Sequence, residues 1–477
     1  MPDTKTIMKK YVACILVIML FLSMLAGCGQ SSGGNAGGAA NKEAAATTAA
    51  APANAAPSGG SAGTFRAYHM TALTDMSTDT DRAWVGWLEK LKEKNEIPVE
   101  IEVVPHDSYE TKLKAYAVAG NIPDLFSTKA GILPELNSAK LLMPLDPAFE
   151  ADPDWFKTLK TGELGEYKVD GKHFAIGNGG GGNCVVYYRK SILNSVGYDG
   201  IPKDWDEYIN MLGKIKETGV TPVVLGNNGK SNGPSCWWNT MAYKYVDQNW
   251  YADVKNYRNN ATFNDPRLKT SLEQLLRIVK GGYVNADYAA IDEGGANQIY
   301  LQGKAAINMV GFWFITGLVQ NAASDETGVA KAVFDDTEIG RLPAPAGQEA
   351  YYKNYAASCG WGFAIGSGAT GKKYDMAVDF LKFKTSPEYI KIQLEQGDLP
   401  VVDYVLMDVK YDKSKVNRLW NDYLVFYNES NVIPVWDCEL SAAFQEAEYN
   451  GFADLLAGSV TIDDYLKNLQ AAHESAK

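Results

Sequence analysis

VEIEVVPHDSYETKLKAYAVAGNIPDLF, residues 99–126, sets out the fold in one stretch. Val99–Val104 alternates apolar and polar residues as a strand does, and Pro105, which has no amide proton, ends it. Asp107 is a candidate N-cap for a helix that runs through Ala119. Gly120-Asn121-Ile122-Pro123-Asp124 then turns the chain into a short strand at Leu125-Phe126. Upstream, Thr64–Met70 reads as a strand. Asp79–Lys94 reads as a helix, with Ala83, Trp84, Trp87, Leu88 and Leu91 at helical spacing. The β-α-β-α-β order predicts a mostly parallel sheet flanked by helices. Ligands of such sheets sit at the carboxyl ends of the strands, which points to the loops Thr71–Ser77 and Asp124–Lys129.

Downstream, the strand-like His173–Ile176 leads into a glycine-rich run, Gly177 to Gly182. No Gly-Lys-Ser/Thr follows and no GxGxxG opens a helix, so a phosphate loop is not indicated. The run suits a crossover where the backbone needs wide freedom. Further strands are expected at Cys184–Arg189, Thr221–Leu225, Ala305–Val310 and Cys359–Ile365. Helices are expected at Trp205–Lys216 behind an Asp204 cap, near Pro234–Val246, and at Pro266–Lys280, Gly294–Leu301 and Phe312–Gln320. More follow at Tyr374–Lys384, Pro387–Leu394, Lys415–Tyr427, Leu440–Leu456 and Ile462–Ala472. Thr64 to Lys477 is longer than one core usually supports, so two lobes are expected.

The N-terminus has a different character. Lys9 and Lys10 precede an almost unbroken apolar run, Val12 to Leu25, of signal-peptide length, which ends in Leu25-Ala26-Gly27-Cys28. That ending resembles the bacterial lipobox. The resemblance implies cleavage before Cys28 and a diacylglycerol-bearing Cys28 as the new first residue. Gly29 to Gly63 is nearly all Ala, Gly, Ser, Asn and Thr, a composition with too little apolar surface to fold. As a flexible tether it spans roughly 30–35 Å on average. The expected location is therefore the cell surface, lipid-anchored to the outer face of the cytoplasmic membrane.

The formal charge is −12, which does not suit nucleic acid or anionic membrane by bulk charge. Eleven Trp and 27 Tyr supply flat rings of the kind on which the apolar faces of a pyranose stack, although most such rings in any protein are core. After Cys14 and Cys28, the cysteines Cys184, Cys236, Cys359 and Cys438 lie far apart, without metal-ligand spacing and with no readable disulfide pairing. His69, His106, His173 and His473 form no HExxH or cluster, and no zinc or other cofactor is expected.

Four ordered stretches resemble the family-1 extracellular solute-binding proteins, the maltose-binding-protein-like sugar receptors. They are Leu113–Phe126; Val169–Ala175 with Val186–Lys190, Gly197 and Pro202–Glu207; Gln302–Trp313; and Ala377–Phe383 through Leu399-Pro400-Val401. Departures include Ile176-Gly177 where the family has proline, Arg189 where it has asparagine, and Asp204 where it has threonine before Trp205. The resemblance implies an α/β, two-lobed type II periplasmic-binding-protein fold, with mixed sheets flanked by helices, a hinge of three crossovers and an interlobe cleft. One lobe is expected from 64–176 plus 357–402, the other from 177–356 plus 403–477. The implied function is capture of a sugar or oligosaccharide for the permease of an ABC importer, by a monomer without catalysis. A secreted glycoside hydrolase is the rival, and it needs two carboxylates with separated pKa values. A sugar sensor without transport would share the fold.

Candidate ligand residues carry bland alternatives. Asp124, after Pro123 at a strand mouth, can accept two sugar hydroxyls or can simply cap a turn. Trp313, closing Gly311-Phe312-Trp313, is where the resemblance places a ring against the sugar. Adjacent Trp237 and Trp238 point about 100° apart on a helix, so one is expected in the core and one towards the cleft. Trp361, between Gly360 and Gly362, lies near a crossover. Trp436-Asp437 pairs a ring with a hydroxyl acceptor. Asp75 and Asn178 complete the set.

Overall fold

A computed structural model of the chain describes residues 63–71, 79–160, 164–358, 360–396 and 399–477. The predicted signal peptide, Cys28, the tether, Asp75 and Cys359 lie outside the described residues.

The first sheet is built from the stretch quoted above. Strand β1 (Phe65–Thr71) lies between β2 (Val99–Pro105) and β3 (Leu125–Lys129) and pairs with both in parallel. The sheet becomes mixed at β14 (Trp361–Gly366), which runs antiparallel to β3 with Trp361 opposite Lys129. Short strands β4 (Leu142–Met143) and β7 (Ala175–Gly177) pair with β14. Trp84, Leu88 and Leu91, on the helix Asp79–Asn95, pack with Phe363, Ile365 and Phe380 on one face. Tyr109, Leu113 and Tyr116, on the helix His106–Val118, fill the other face with Tyr68 and Phe126. That helix begins at His106, so Asp107 lies inside it rather than at its cap. A hairpin of β5 (Lys168–Val169) and β6 (Lys172–His173) closes through Asp170 and Gly171. Both have positive φ, the two-residue turn that matches strand twist.

A second sheet follows the order β10 (Thr221–Val224), β11 (Ala305–Val310), β9 (Val185–Arg189), β12 (Thr337–Gly340). The strands β10 and β11 are parallel, and β11 is buried along its whole length; its one polar residue, Asn308, donates its side-chain amide to Asn297 Oδ1 at 2.8 Å. The helix Trp205–Glu217 starts as expected: Asp204 accepts from the Glu207 amide at 2.9 Å, and Trp205, Tyr208, Leu212 and Ile215 enter the core. A third sheet joins β13 (Asn354–Ser358) to β15 (Asn431–Ile433) in parallel and to β8 (Gly181–Gly182) antiparallel.

The glycine run connects these parts. Gly177 pairs with Gly362 in the first sheet, whereas Gly181 and Gly182 pair with Ser358 and Ala357 in the third. Gly180 donates its amide to Leu399 O at 3.0 Å. Three segments thus run side by side between two groups of cores. The glycines are there for space: a Cβ on Gly181 would lie 2.0 Å from the Phe312 ring, and one on Gly182 2.0 Å from Tyr355.

The segment expected as a helix near Pro234–Val246 differs. Asn232–Trp238 is a π-helical turn, in which the Asn239 amide reaches Pro234 O, and a short helix Asn239–Ala242 follows.

Candidate functional site

The carboxyl end of β3 meets a segment from near the C-terminal end of the chain. Lys129 ends the strand, and its ammonium is almost fully buried. It donates to Asp437 Oδ2 at 3.0 Å and lies 3.2 Å from Glu110 Oε1. It also stands 5.2 Å over the Trp361 ring and 5.8 Å over Tyr449. Tyr109 meets Trp361 edge-on at 5.2 Å. On the opposing side, Asp437 lies in the short helix Trp436–Glu439 and accepts the Tyr449 hydroxyl. Gln445 donates its amide to Glu110 Oε1 at 2.9 Å.

Electrostatics orders these protons. Burial works against the Lys129 charge, but Asp437 and Glu110 together hold its ammonium well above the usual range. Burial likewise opposes the Asp437 charge, and Lys129, Tyr449 and Ser235 keep the carboxyl below its ordinary value. Glu448, fully buried nearby, behaves oppositely: burial and the Asp437 charge push its carboxyl well above the ordinary value. Asn239 donates to Glu448 Oε1 at 2.8 Å, and Oε2 has no hydrogen-bond partner among the described residues.

The second sheet contributes its own carboxyl edge. Gly311-Phe312-Trp313 follows β11, and Leu225 to Asn228 follow β10. Trp313 is 36% exposed, the largest exposed ring of the described residues. It is not loose: Nε1 donates to Glu293 Oε1 at 2.7 Å, and the ring lies across Gly311, where a Cβ would come within 2.0 Å of it. Phe312 stacks on Tyr423 with centroids 5.6 Å apart and donates its amide to Gly182 O, which ties this edge to the crossover. Asn227 and Asn232 are buried close by in the chain, and each has a side-chain oxygen without a partner among the described residues.

Of the residues singled out in the sequence, Trp361 and Asp437 meet around Lys129, and Trp313 stands on the second sheet's carboxyl edge. Asn178 anchors the crossover: its amide donates to Trp361 O at 2.8 Å and its Oδ1 accepts from Lys384. Asp124 is elsewhere. It precedes β3, at the end opposite Lys129, and its carboxylate takes the Arg66 amide at 2.8 Å and the Lys373 ammonium at 3.2 Å. A strand has a direction, and the carboxyl-end rule points to Lys129, not to Asp124, which precedes the strand. Trp237, Trp238 and Trp436 are core rings. Trp237 Nε1 donates to Met309 O, Trp238 Nε1 to Ser271 Oγ and Trp436 Nε1 to Tyr243 OH, so each buried indole is satisfied internally. The expectation that one of Trp237 and Trp238 faces the cleft is corrected: the π-turn buries both.

Sequence reasoning missed Lys129, Glu110, Tyr449 and Glu293. Lys129 and Asp437 are 308 residues apart, and nothing local marks either as the other's partner. Among the described residues, Cys184, Cys236 and Cys438 are buried and form no disulfide. Among the described residues no three His, Cys, Asp or Glu side chains converge as metal ligands, and no helix is long and apolar enough to cross a membrane.

The sequence pattern of a family described as bacterial extracellular solute-binding proteins matches residues 86–416. An uncharacterized ABC transporter extracellular-binding protein of Pyrococcus horikoshii is 27% identical over 244 residues, 49% of this chain and 50% of that protein. A melibiose/raffinose/stachyose-binding protein of Bacillus subtilis is 22% identical over 383 residues, 77% of this chain and 80% of that protein. The chain spans about half the length of the first of these relatives. Among solved structures, a chitin oligosaccharide binding protein superposes with a TM-score of 0.73 at 18% identity, covering 87% of this chain and 99% of the other. Maltose-bound MalE3 of T. maritima superposes with a TM-score of 0.66 at 18% identity, covering 86% and 100%. At these identities the structures establish the two-lobed fold.

Proposed function

This chain belongs to the bacterial extracellular solute-binding proteins, and from that membership we propose that it captures a sugar or oligosaccharide and delivers it to the permease of an ABC importer. The observation that carries the reading is Trp313. A ring fixed by Glu293 and Gly311 yet more than one-third exposed is a rigid stacking platform with a hydroxyl acceptor beside it. A pyranose needs that pair of features, an apolar face to cover and hydroxyls to bind. The oligosaccharide ligands named for the Bacillus subtilis relative and for the chitin oligosaccharide binding protein support a carbohydrate ligand. Trp361, beside Lys129 on the first sheet, and Asp437, on the same side as Trp313, are proposed to border the same cleft. The chain acts as a monomer without catalysis, held by a lipid on Cys28 and the tether that follows. Closure of the lobes around ligand presents the loaded form to the permease, a population shift driven by tighter binding to the closed state.

The test is a thermal-shift screen of the purified protein against mono- and oligosaccharides, with chromatography of the sugar afterwards. At a hundredfold excess over its Kd, a ligand adds about 2.7 kcal/mol of stability. A shift with one sugar class and intact sugar supports the receptor. Cleavage of the sugar would transfer the protein to the glycoside hydrolases, and no shift with any sugar would remove carbohydrate as the ligand.

A further inference from the structure

Around β3 the two lobes are joined by direct contacts between protein groups. Lys129 of the first sheet and Asp437 of the other lobe form an ion pair at 3.0 Å, with side chains only 3% and 5% exposed. Glu110 and Gln445 make a second crossing bond at 2.9 Å. Gly131, one turn beyond Lys129, lies flush against the other lobe: a Cβ there would sit 2.0 Å from Leu440 O. Ala442 packs on the core that holds Tyr109 and Leu133. All four contacts join one patch, the end of β3, the turn Ala130–Ile132 and the helix His106–Val118, to one other, the helices Trp436–Glu439 and Ala442–Ala457 with Leu440 between them.

An ion pair inside one lobe would be a matter of folding. This one crosses between lobes whose cores are separate, so its energy enters the equilibrium between open and closed arrangements. Its burial matters as well. Bulk salt screens exposed pairs but reaches a buried one weakly. Separation exposes both groups to water, which returns much of the desolvation cost, so the pair acts as a bias and not as a lock.

We infer that Lys129, Asp437, Glu110, Gln445 and the bare backbone of Gly131 form an interlobe latch that biases the protein towards the closed arrangement in the absence of ligand. Lys129 and Asp437 are positioning residues in this role: they set how often the binding-competent arrangement is populated, and the apparent Kd scales inversely with that population. The inference rests on the two-lobed fold and is independent of whether the ligand is a sugar.

The latch is tested by single-molecule energy transfer between dyes placed through bio-orthogonal side chains at Val118, on the first lobe, and Val425, on the second, both strongly exposed. Lys129→Met removes the charge and Gly131→Ala wedges the backbone without touching any charge. Gln445→Ala, a milder change, covers the case in which a buried-site variant does not fold. Lys353→Met, which removes an exposed pair with Glu429 inside one lobe, is the control. In ligand-free protein the expected result is at least a threefold rise in the open, low-transfer population for Lys129→Met and Gly131→Ala. Gln445→Ala should give a smaller rise in the same direction and Lys353→Met none. Folded variants with the distance distribution of the parent would overturn the latch. Loss of sugar binding with that distribution unchanged would bear on the ligand reading and count against the latch as well.

Discussion

At the scale of single residues, similar side chains differ in role because of what they touch. Eleven tryptophans are written in the sequence, and three of those marked as ligand candidates spend their indole N–H groups inside the core. Trp313 spends its own on a surface carboxylate and keeps a face open. Trp313→Ala is expected to leave the melting temperature near that of the parent and to weaken ligand binding tenfold or more, about 1.4 kcal/mol, by isothermal titration calorimetry. Glu448 and Asp437 show the same principle for carboxyls. The folded state keeps the Glu448 proton well above the ordinary value of 4.5, while the unfolded chain releases it near that value. Stability from this group is therefore full below pH 4.5 and declines as pH rises above it. Asp437 has the opposite sign, because its lowered value gives stability that is lost as acid protonates it. Glu448→Gln, a neutral isostere, should melt higher than the parent at pH 8, and the gap should close by pH 4.5. A constant offset between the two across that range would disprove the assignment.

Single elements show where local pattern sufficed. Pro266–Lys280 and Ala305–Val310 form with the expected limits because an amphipathic helix and a strand apolar at all but Asn308 are encoded in their own spacing. The π-turn Asn232–Trp238 was not legible, since a wide turn differs from an α-turn only through the hydrogen bonds it selects. The short β8 was missed for another reason: two glycines carry no periodicity, and Gly181-Gly182 becomes a strand only because β13 lies beside it. Its fit is tight. Gly182→Ala would drive a methyl into the Tyr355 ring and is expected to cost about 1–3 kcal/mol, read as a lower urea midpoint with an unchanged m-value. The strand Asn431–Ile433 escaped notice similarly, being short and dependent on β13 for its pairing.

On the scale of the whole molecule, function depends on where the chain is held and on how its lobes meet. The tether and Cys28 give one further expectation. Cells expressing the full chain should incorporate labelled palmitate into it, and Cys28→Ala should abolish the label and release the protein to the medium. Retained label in that variant would rule out Cys28 as the anchor. The sequence by itself determined the α/β class, the parallel start of the first sheet and the family. Those follow from apolar periodicity and turn residues, which act over a few neighbours, and from motifs kept in order along the chain. It also placed Trp361 and Asp437 among the candidates, one by its flanking glycines and the other as an acceptor beside a ring. Only the tertiary structure decided that these two share Lys129, that Arg66 and Lys373 take the Asp124 carboxylate, and that Trp436 is core. A contact between residues 129 and 437 is chosen by the packing of segments far apart in the chain. No local preference encodes it, because neither residue's own neighbours gain or lose anything by which partner the fold brings near.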